Sequence, residues 1–238
     1  TLHKWVNGDS AWYPDGGYYI ARSGPLWLCV RCENPDKAAP TGHRHNDQLS
    51  FELNVDGADF FIDSGTGVYT ADPELRNRLR GTSSHNTVSV DGVEQRDFPL
   101  GQDGLFLARG SSIATPATID NGMFAGVHRW SGLEHHRSFE LTPTRLVIED
   151  RVDTNRDWEI NFIVAKDVTV EVEPKQGRAS LVSGSRSLVL QVDPGTALMS
   201  VDSVPVSPSY GQTQNTSRIT LTPTGYVSIT KIEIDRAV

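Results

Sequence analysis

The chemistry-bearing residues of this chain crowd into three short runs. They are Gly42-His43-Arg44-His45-Asn46-Asp47-Gln48-Leu49-Ser50-Phe51, Phe61-Ile62-Asp63-Ser64-Gly65 and Ser84-His85-Asn86-Thr87-Val88. Three of the seven histidines fall here, each beside a strand-like run. Imidazoles and carboxylates gathered in this way serve a divalent metal or a proton-transfer site. His43 and His45 are one residue apart, so on extended backbone both point to the same side, with their Cα atoms roughly 7 Å apart. That suits two ligands of one ion, or one ligand and one base. His45, Asp63 and His85 make up the set of three protein ligands common at open zinc sites. Asn46, Asp47 and Asn86 are candidates for orienting a ligating imidazole through its other nitrogen. Arg44, Arg76, Arg78 and Arg80 form a basic patch beside this set, and guanidinium forks match carboxylates and sulfates.

The remaining candidates read as ordinary structure. His3, His128, His135 and His136 are expected to be satisfied polar residues. Trp5, Trp12, Trp27, Trp130 and Trp158 belong to the core or its rim, with Trp12 and Trp130 the two that could stack on a sugar. Cys29 and Cys32 have the spacing of a redox or zinc half-site. They sit in a strand-like run, however, where residues three apart face opposite sides, and no second cysteine pair exists. They read as two plain thiols.

The elements that must position the cluster are almost all strands. Tyr18–Arg22 and Leu26–Val30 are separated by a Ser-Gly-Pro turn. Pro35 to Thr41 is a proline-bounded loop leading into the histidines. Leu49 to Val55 alternates, with Phe51, Leu53 and Val55 on one face, then turns at Asp56-Gly57 and returns over Ala58–Asp63. The hairpin would bring the strand ends bearing His45 and Asp63 together. Asp72 to Arg80 is the one helix candidate, with Asp72 as cap, Pro73 at the first helical position and Glu74 near the positive end. Thr87–Val90 leads to a second turn at Asp91-Gly92. Further strands are expected at Leu105–Ala108, Phe124–Trp130, Glu134–Leu141, Arg145–Asp150, Glu159–Val164, Val168–Val172, Ser187–Val192, Ser217–Leu221 and Tyr226–Ile234. A dozen or so short strands with turn signals between them predict an all-β, antiparallel two-sheet β-sandwich with one short helix. The polar stretch Asp153–Asp157 reads as a loop within a single domain spanning residues 1–238.

With 238 residues and 37% hydrophobic content the chain can bury a sizeable core. A net charge of -8 argues against nucleic-acid binding and against docking on an anionic membrane. A local arginine cluster still leaves room for an anionic substrate. The apolar runs fall far short of the roughly 20 residues that a membrane-crossing helix needs.

Several ordered motifs resemble the C-terminal β-sandwich domain of the heparinase II/III-like polysaccharide lyases. They begin with Gly17-Tyr18-Tyr19, Arg22-Ser23 and the Gly42–Phe51 run. Gly57 and Phe61-Ile62-Asp63-Ser64-Gly65-Thr66-Gly67-Val68-Tyr69 follow, then Arg76 through Val88, Asp91-Gly92 and Gln95. Arg137 to Asp150 matches more loosely.

The resemblance implies an enzyme that cleaves uronic-acid polysaccharides, glycosaminoglycan or alginate-like, by β-elimination. It implies a sandwich packed against an N-terminal (α/α) toroid, with the site in the cleft between them. His43 matches a catalytic histidine; His45, Asp63 and His85 match residues holding a zinc-like ion. The family's usual acid is a toroid tyrosine, and no long amphipathic helices precede Thr1, so this chain is expected to carry half a site and to be feeble alone. The expected partners are an anionic polysaccharide and the toroid of the parent protein, with a periplasmic or secreted location. Two rival readings stand beside this one. A non-catalytic carbohydrate-binding or structural sandwich would keep the fold without the chemistry. A cupin-type metalloenzyme would recruit Glu52, although Glu52 lies seven residues beyond His45.

Overall fold

A computed structural model of the chain describes residues 5–6 (backbone only), 9–33, 43–99 and 106–235. The expected loop Pro35 to Thr41, His3, the Trp5 side chain and Leu105 lie outside the described residues. In chain order the strands are β1 (Trp5–Val6), β2 (Ser10–Tyr13), β3 (Tyr18–Ser23), β4 (Leu26–Arg31), β5 (Phe51–Val55), β6 (Ala58–Phe61), β7 (Val88–Val90), β8 (Ser112–Asp120) and β9 (Met123–Trp130). They continue as β10 (Leu133–Thr142), β11 (Arg145–Val152), β12 (Trp158–Ile163), β13 (Thr169–Glu173), β14 (Arg178–Ser183), β15 (Arg186–Gln191), β16 (Ala197–Ser209), β17 (Gln212–Pro223) and β18 (Val227–Ile234). Among the described residues one α-helix, α1 (Pro73–Leu79), interrupts them.

The strands form antiparallel sheets. β1 to β6 pair in sequence order, and an eight-stranded sheet runs β13-β14-β15-β18-β11-β10-β9-β8. A third, four-stranded set runs β16-β17-β12-β7. It continues the first sheet: Ile62 N donates to Ile163 O at 3.0 Å and Ala165 N to Phe60 O at 2.9 Å. The result is the expected sandwich, with one layer made of two sheets joined where β6 meets β12. Apolar faces of both layers meet in one cluster that includes Phe51, Phe61, Phe124, Phe139, Phe162 and Ile232. That cluster draws on strands from both sides of the Asp153–Asp157 loop.

Local physics accounts for the elements that carry the site. Phe51, Leu53 and Val55 are buried while Glu52 is exposed. Asp56 and Gly57 sit at φ +48° and +82°. Two consecutive positive φ values give the tight hairpin whose twist matches that of its strands. Asp72 caps α1 by accepting from Leu75 N at 3.0 Å, with Pro73 opening the helix.

The differences from the sequence reading have physical causes. Residues 106–108 are not a strand; only Arg109 makes an isolated bridge, to Asp97. β1, β2, β8, β14 and β16 were not anticipated; of these β8 and β16 contain proline, Pro116 in β8 and Pro205 and Pro208 in β16. Both are edge strands, where a missing N–H is tolerated, and the ladder shifts register at or beside the proline in each.

Candidate functional site

The hairpin and the helix deliver the three ligand candidates to one point. One donor atom from each of His45, Asp63 and His85 lies within 4.8 Å of the others. His45 comes from the loop before β5, Asp63 from just beyond β6, and His85 from the end of a 3-10 turn (Thr82–Ser84) after α1. The His45 and His85 rings are 5.2 Å apart, and His85 Nδ1 lies 2.6 Å from Asp63 Oδ2. Asp63 Oδ1 accepts from Gly65 N at 2.8 Å, which fixes the carboxylate.

The electrostatics of His45 and Asp63 suit a cation, while at His85 a cation would have to displace a proton. Burial, with the neighbouring His85 and arginine charges, pushes His45 down to about 4, so its imidazole is neutral with a lone pair free to coordinate. Burial works to raise Asp63, but the charge and hydrogen bond of His85 outweigh it and hold the carboxyl down to about 2. The same pairing overcomes burial at His85 and raises it. His85 is fully buried, its Nδ1 held by Asp63 and its ring near the Arg80 backbone. A neutral imidazole, an ionised carboxylate and a second imidazole with donor atoms within 4.8 Å of one another make a donor set that a divalent cation matches. The residues therefore fit a divalent cation.

His45 and Asp63 open onto a cavity of about 370 Å³, lined by His43, Arg44, Asp47 and Asn86 from the expected set and by Tyr18, Arg31 and Glu33 besides; the buried His85 is not among its lining residues. His43 is exposed at its mouth, its ring edge-on to Tyr69 at 5.5 Å. Arg44 lies 3.8 Å from Glu33 Oε1. Asp47 lies 3.6 Å from Arg31 Nε, and burial raises its pKa against the pull of Arg31. The arginines of α1 divide. Arg78 is exposed, whereas Arg76 and Arg80 are 2% and 1% exposed. Arg80 covers the Phe98 ring at 3.6 Å and donates to Leu107 O; Arg76 covers Phe106 at 4.9 Å.

The two asparagines bond neighbouring segments rather than the imidazoles they were expected to orient. Asn46 Nδ2 donates to Glu94 Oε2 at 2.6 Å and to Arg96 O at 2.9 Å. Asn86 donates to Phe51 O and Ile62 O and accepts from Ile163 N. Both hold the segments that carry the imidazoles. Glu52 lines the cavity without joining the three-ligand cluster, which removes the geometric basis of a cupin site.

With the geometry in place, the chain can be compared with known proteins. The profile of the family described as Heparinase II/III-like, C-terminal, matches residues 6–235. The chain belongs to that family. It is 33% identical over 203 residues to a heparin-sulfate lyase of Bacteroides thetaiotaomicron, covering 78% of this chain and 27% of that protein. A heparin-sulfate lyase of Pedobacter heparinus is 37% identical over 82 residues, or 32% of this chain and 12% of the relative. The chain thus spans about a quarter or less of the curated relatives it matches. Among solved structures, heparinase III superposes with a TM-score of 0.76 at 18% identity, covering 98% of this chain and 37% of that one. The heparan sulfate lyase from Pedobacter heparinus gives 0.74 at 18%, with the same coverage. These likenesses fix the fold.

The Heparinase II/III-like sandwich holds further polar groups that sequence reasoning passed over. Arg31 shares the outward face of β4 with Cys29 and reaches the cavity. Alternation through Leu26, Leu28 and Val30 was the signal that could have found it. Cys29 and Cys32 are free thiols, each pushed up to about 12 chiefly by burial, hence unreactive. Arg137 is buried with Asp150, Nε to Oδ1 at 2.7 Å, and its Nη1 donates to Leu49 O and Asn86 O. It ties together the two segments that carry His45 and His85. Trp130 is buried and stacks on His128 at 4.5 Å, and Trp12 packs on Phe124, so both serve the core. A second cluster, Glu134, His136 and Asp153, lies at the surface, its carboxylates already paired with Arg129 and Arg151. Among the described residues no helix is long and apolar enough to cross a membrane.

Proposed function

We propose that this sandwich supplies one wall of a polysaccharide lyase site that cleaves uronic-acid-containing chains, glycosaminoglycan or alginate-like, by β-elimination. The observation that carries the reading is the convergence of His45, Asp63 and His85, with His45 and Asp63 lining one cavity together with the exposed His43 and with Arg31 and Arg44. Membership in a family whose relatives include heparin-sulfate lyases supports it.

The chemistry begins with a uronate whose C5 proton is weakly acidic while its carboxylate keeps full charge. A positive or hydrogen-bonding group facing that carboxylate stabilises the enolate-like intermediate. A base then takes the C5 proton, the electron pair forms the C4–C5 double bond, the C4–O4 bond breaks, and an acid protonates O4. His43, exposed at the cavity mouth, either removes the proton or faces the carboxylate. Arg44 in the cavity and Arg78 on α1 present charge to the polysaccharide, while the buried Arg76 and Arg80 add to the local positive potential. A divalent cation, zinc best matching a two-histidine, one-aspartate set, would be held by His45, Asp63 and His85 and would supply fixed positive charge and a rigid floor. Asn46, Asp47 and Asn86 support that floor by holding the segments around it. The acid comes from an N-terminal toroidal domain facing the sandwich, and the protein works in the periplasm or outside the cell.

Incubating the full protein with heparan sulfate, hyaluronan and alginate while following unsaturated-product absorbance tests this. Product formation that disappears in His43→Ala supports the reading. Glycan binding without product in the complete protein would make it a carbohydrate-binding module instead.

A further inference from the structure

The long β16–β17 hairpin ends in the turn Tyr210-Gly211 and is fastened to the segment that follows Asp63. Ser207 N donates to Ser64 O at 2.7 Å, and Gly211 N to Gly67 O at 2.9 Å. This brings Tyr210 from the far end of the sequence onto Tyr69, ring centroids 5.6 Å apart and tilted by 36°. Phe106 lies 6.4 Å from Tyr69 and 6.5 Å from His43. Tyr210 is 66% exposed and Phe106 43%. Two large rings, Tyr210 held by a zipped hairpin and Phe106 packed beside Tyr69, face solvent and lose apolar hydration only when something covers them.

We propose that Tyr210 and Phe106 form an aromatic platform for a sugar ring of an anionic, uronate-containing oligosaccharide, next along the chain from the unit held at His43. The proposal rests on the lyase reading above and names a binding position it does not include. Sugars present apolar C–H faces that stack on aromatic rings, while their carboxylates and sulfates need cations nearby. Both are here: Arg78 is exposed on α1, the buried Arg76 guanidinium 4.9 Å from the centre of the Phe106 ring adds positive potential from beneath, and His43 closes the row. The hairpin contacts fix Tyr210 in place before ligand arrives, so little ordering entropy is lost there on binding.

The test is the affinity of the full protein for a heparan sulfate hexasaccharide and for a disaccharide, measured by calorimetry. Tyr210→Ala is expected to weaken hexasaccharide binding about three- to tenfold, the range for one aromatic contact, and to leave the disaccharide unchanged. Tyr210→Trp retains affinity. Tyr226→Ala, whose exposed ring bonds Asn155 instead, has no effect. Equal hexasaccharide affinity in Tyr210→Ala, with weakening in His43→Ala, overturns the platform and leaves the lyase reading standing. A fall in melting temperature with unchanged affinity also overturns it, by showing that the rings are covered by another part of the protein. Binding of neither glycan to the wild-type protein removes the lyase reading and the platform together.

Discussion

Asn86 Oδ1 accepts the backbone N–H of Ile163 at 2.5 Å, while its Nδ2 donates to Phe51 O at 2.7 Å and to Ile62 O at 3.0 Å. One side chain next to His85 therefore joins β12 to both strands of the β5–β6 hairpin. It closes the seam between the two sheets of one layer and, with it, the floor of the cavity.

Asn86→Ala would leave three buried backbone groups unpaired. A loss of about 2–4 kcal/mol of stability is expected, since buried orphan groups carry most of their desolvation penalty. Asn86→Asp keeps the shape but forfeits both donated bonds and should also lose stability. Urea denaturation of the three proteins measures it. A change below about 0.5 kcal/mol in Asn86→Ala would show that the clamp is dispensable.

Gly65 follows Asp63 of the His45–Asp63–His85 cluster at φ +74°, and a Cβ there would lie 2.2 Å from Ser207 O. Gly65→Ala must push the β16–β17 hairpin off the Asp63 segment. About 1–3 kcal/mol of destabilisation is expected from the positive φ alone, before the clash is counted. Chemical denaturation reads the stability, and loss of the Tyr69–Tyr210 contact would appear in their ring proton shifts. Wild-type shifts and stability would contradict the close approach.

Arg137 and Asp150 form a buried pair inside the sandwich, within reach of the Asn86 and Leu49 carbonyls. Arg137→Met strands the Asp150 charge and should destabilise by about 3–5 kcal/mol. Adding Asp150→Leu should recover part of that loss, because the stranded charge goes with it. A double variant as unstable as the sum of its parts would argue against the pairing.

Acid should weaken this fold in two stages. His128 and His135 are buried, which lowers both pKa values; the nearby charges add to this at His128, and the Asp150 bond only partly offsets it at His135. They stay neutral in the fold but take up protons in the unfolded chain, so stability falls as pH drops below about 6.5. Burial works to raise Asp150, but Arg137 and His135 hold it down. Its contribution is present above about pH 4 and is lost as pH falls through the lower folded value. Melting temperature against pH for wild type and His128→Gln checks the first stage: the variant should show a shallower decline between pH 6.5 and 5. An equal slope would remove His128 from the explanation.

Much of this was legible in the sequence, and the boundary of legibility is physical. The β5–β6 hairpin, α1 and the meeting of His45, Asp63 and His85 follow from alternation, an Asp-Gly turn and a capped helix start, all local signals. The aromatic neighbours of His43 do not. Tyr210 sits on a hairpin whose prolines mask it as a strand, and it reaches the site through backbone bonds to Ser64 and Gly67 that no local pattern encodes. The split among the arginines was equally hidden. The short spacing of Arg76, Arg78 and Arg80 spreads them around the helix, but only the packing of Phe98 and Phe106 decides which are buried.

Zinc titration of metal-stripped protein, followed by calorimetry and by metal content after dialysis, tests the central claim most directly. One zinc per chain is expected. His85→Ala and Asp63→Ala should bind at least tenfold more weakly, whereas His43→Ala should bind as the wild type does. Absence of stoichiometric uptake, or equal affinity in the His85 and Asp63 variants, would contradict the assignment of these residues to a cation-holding floor.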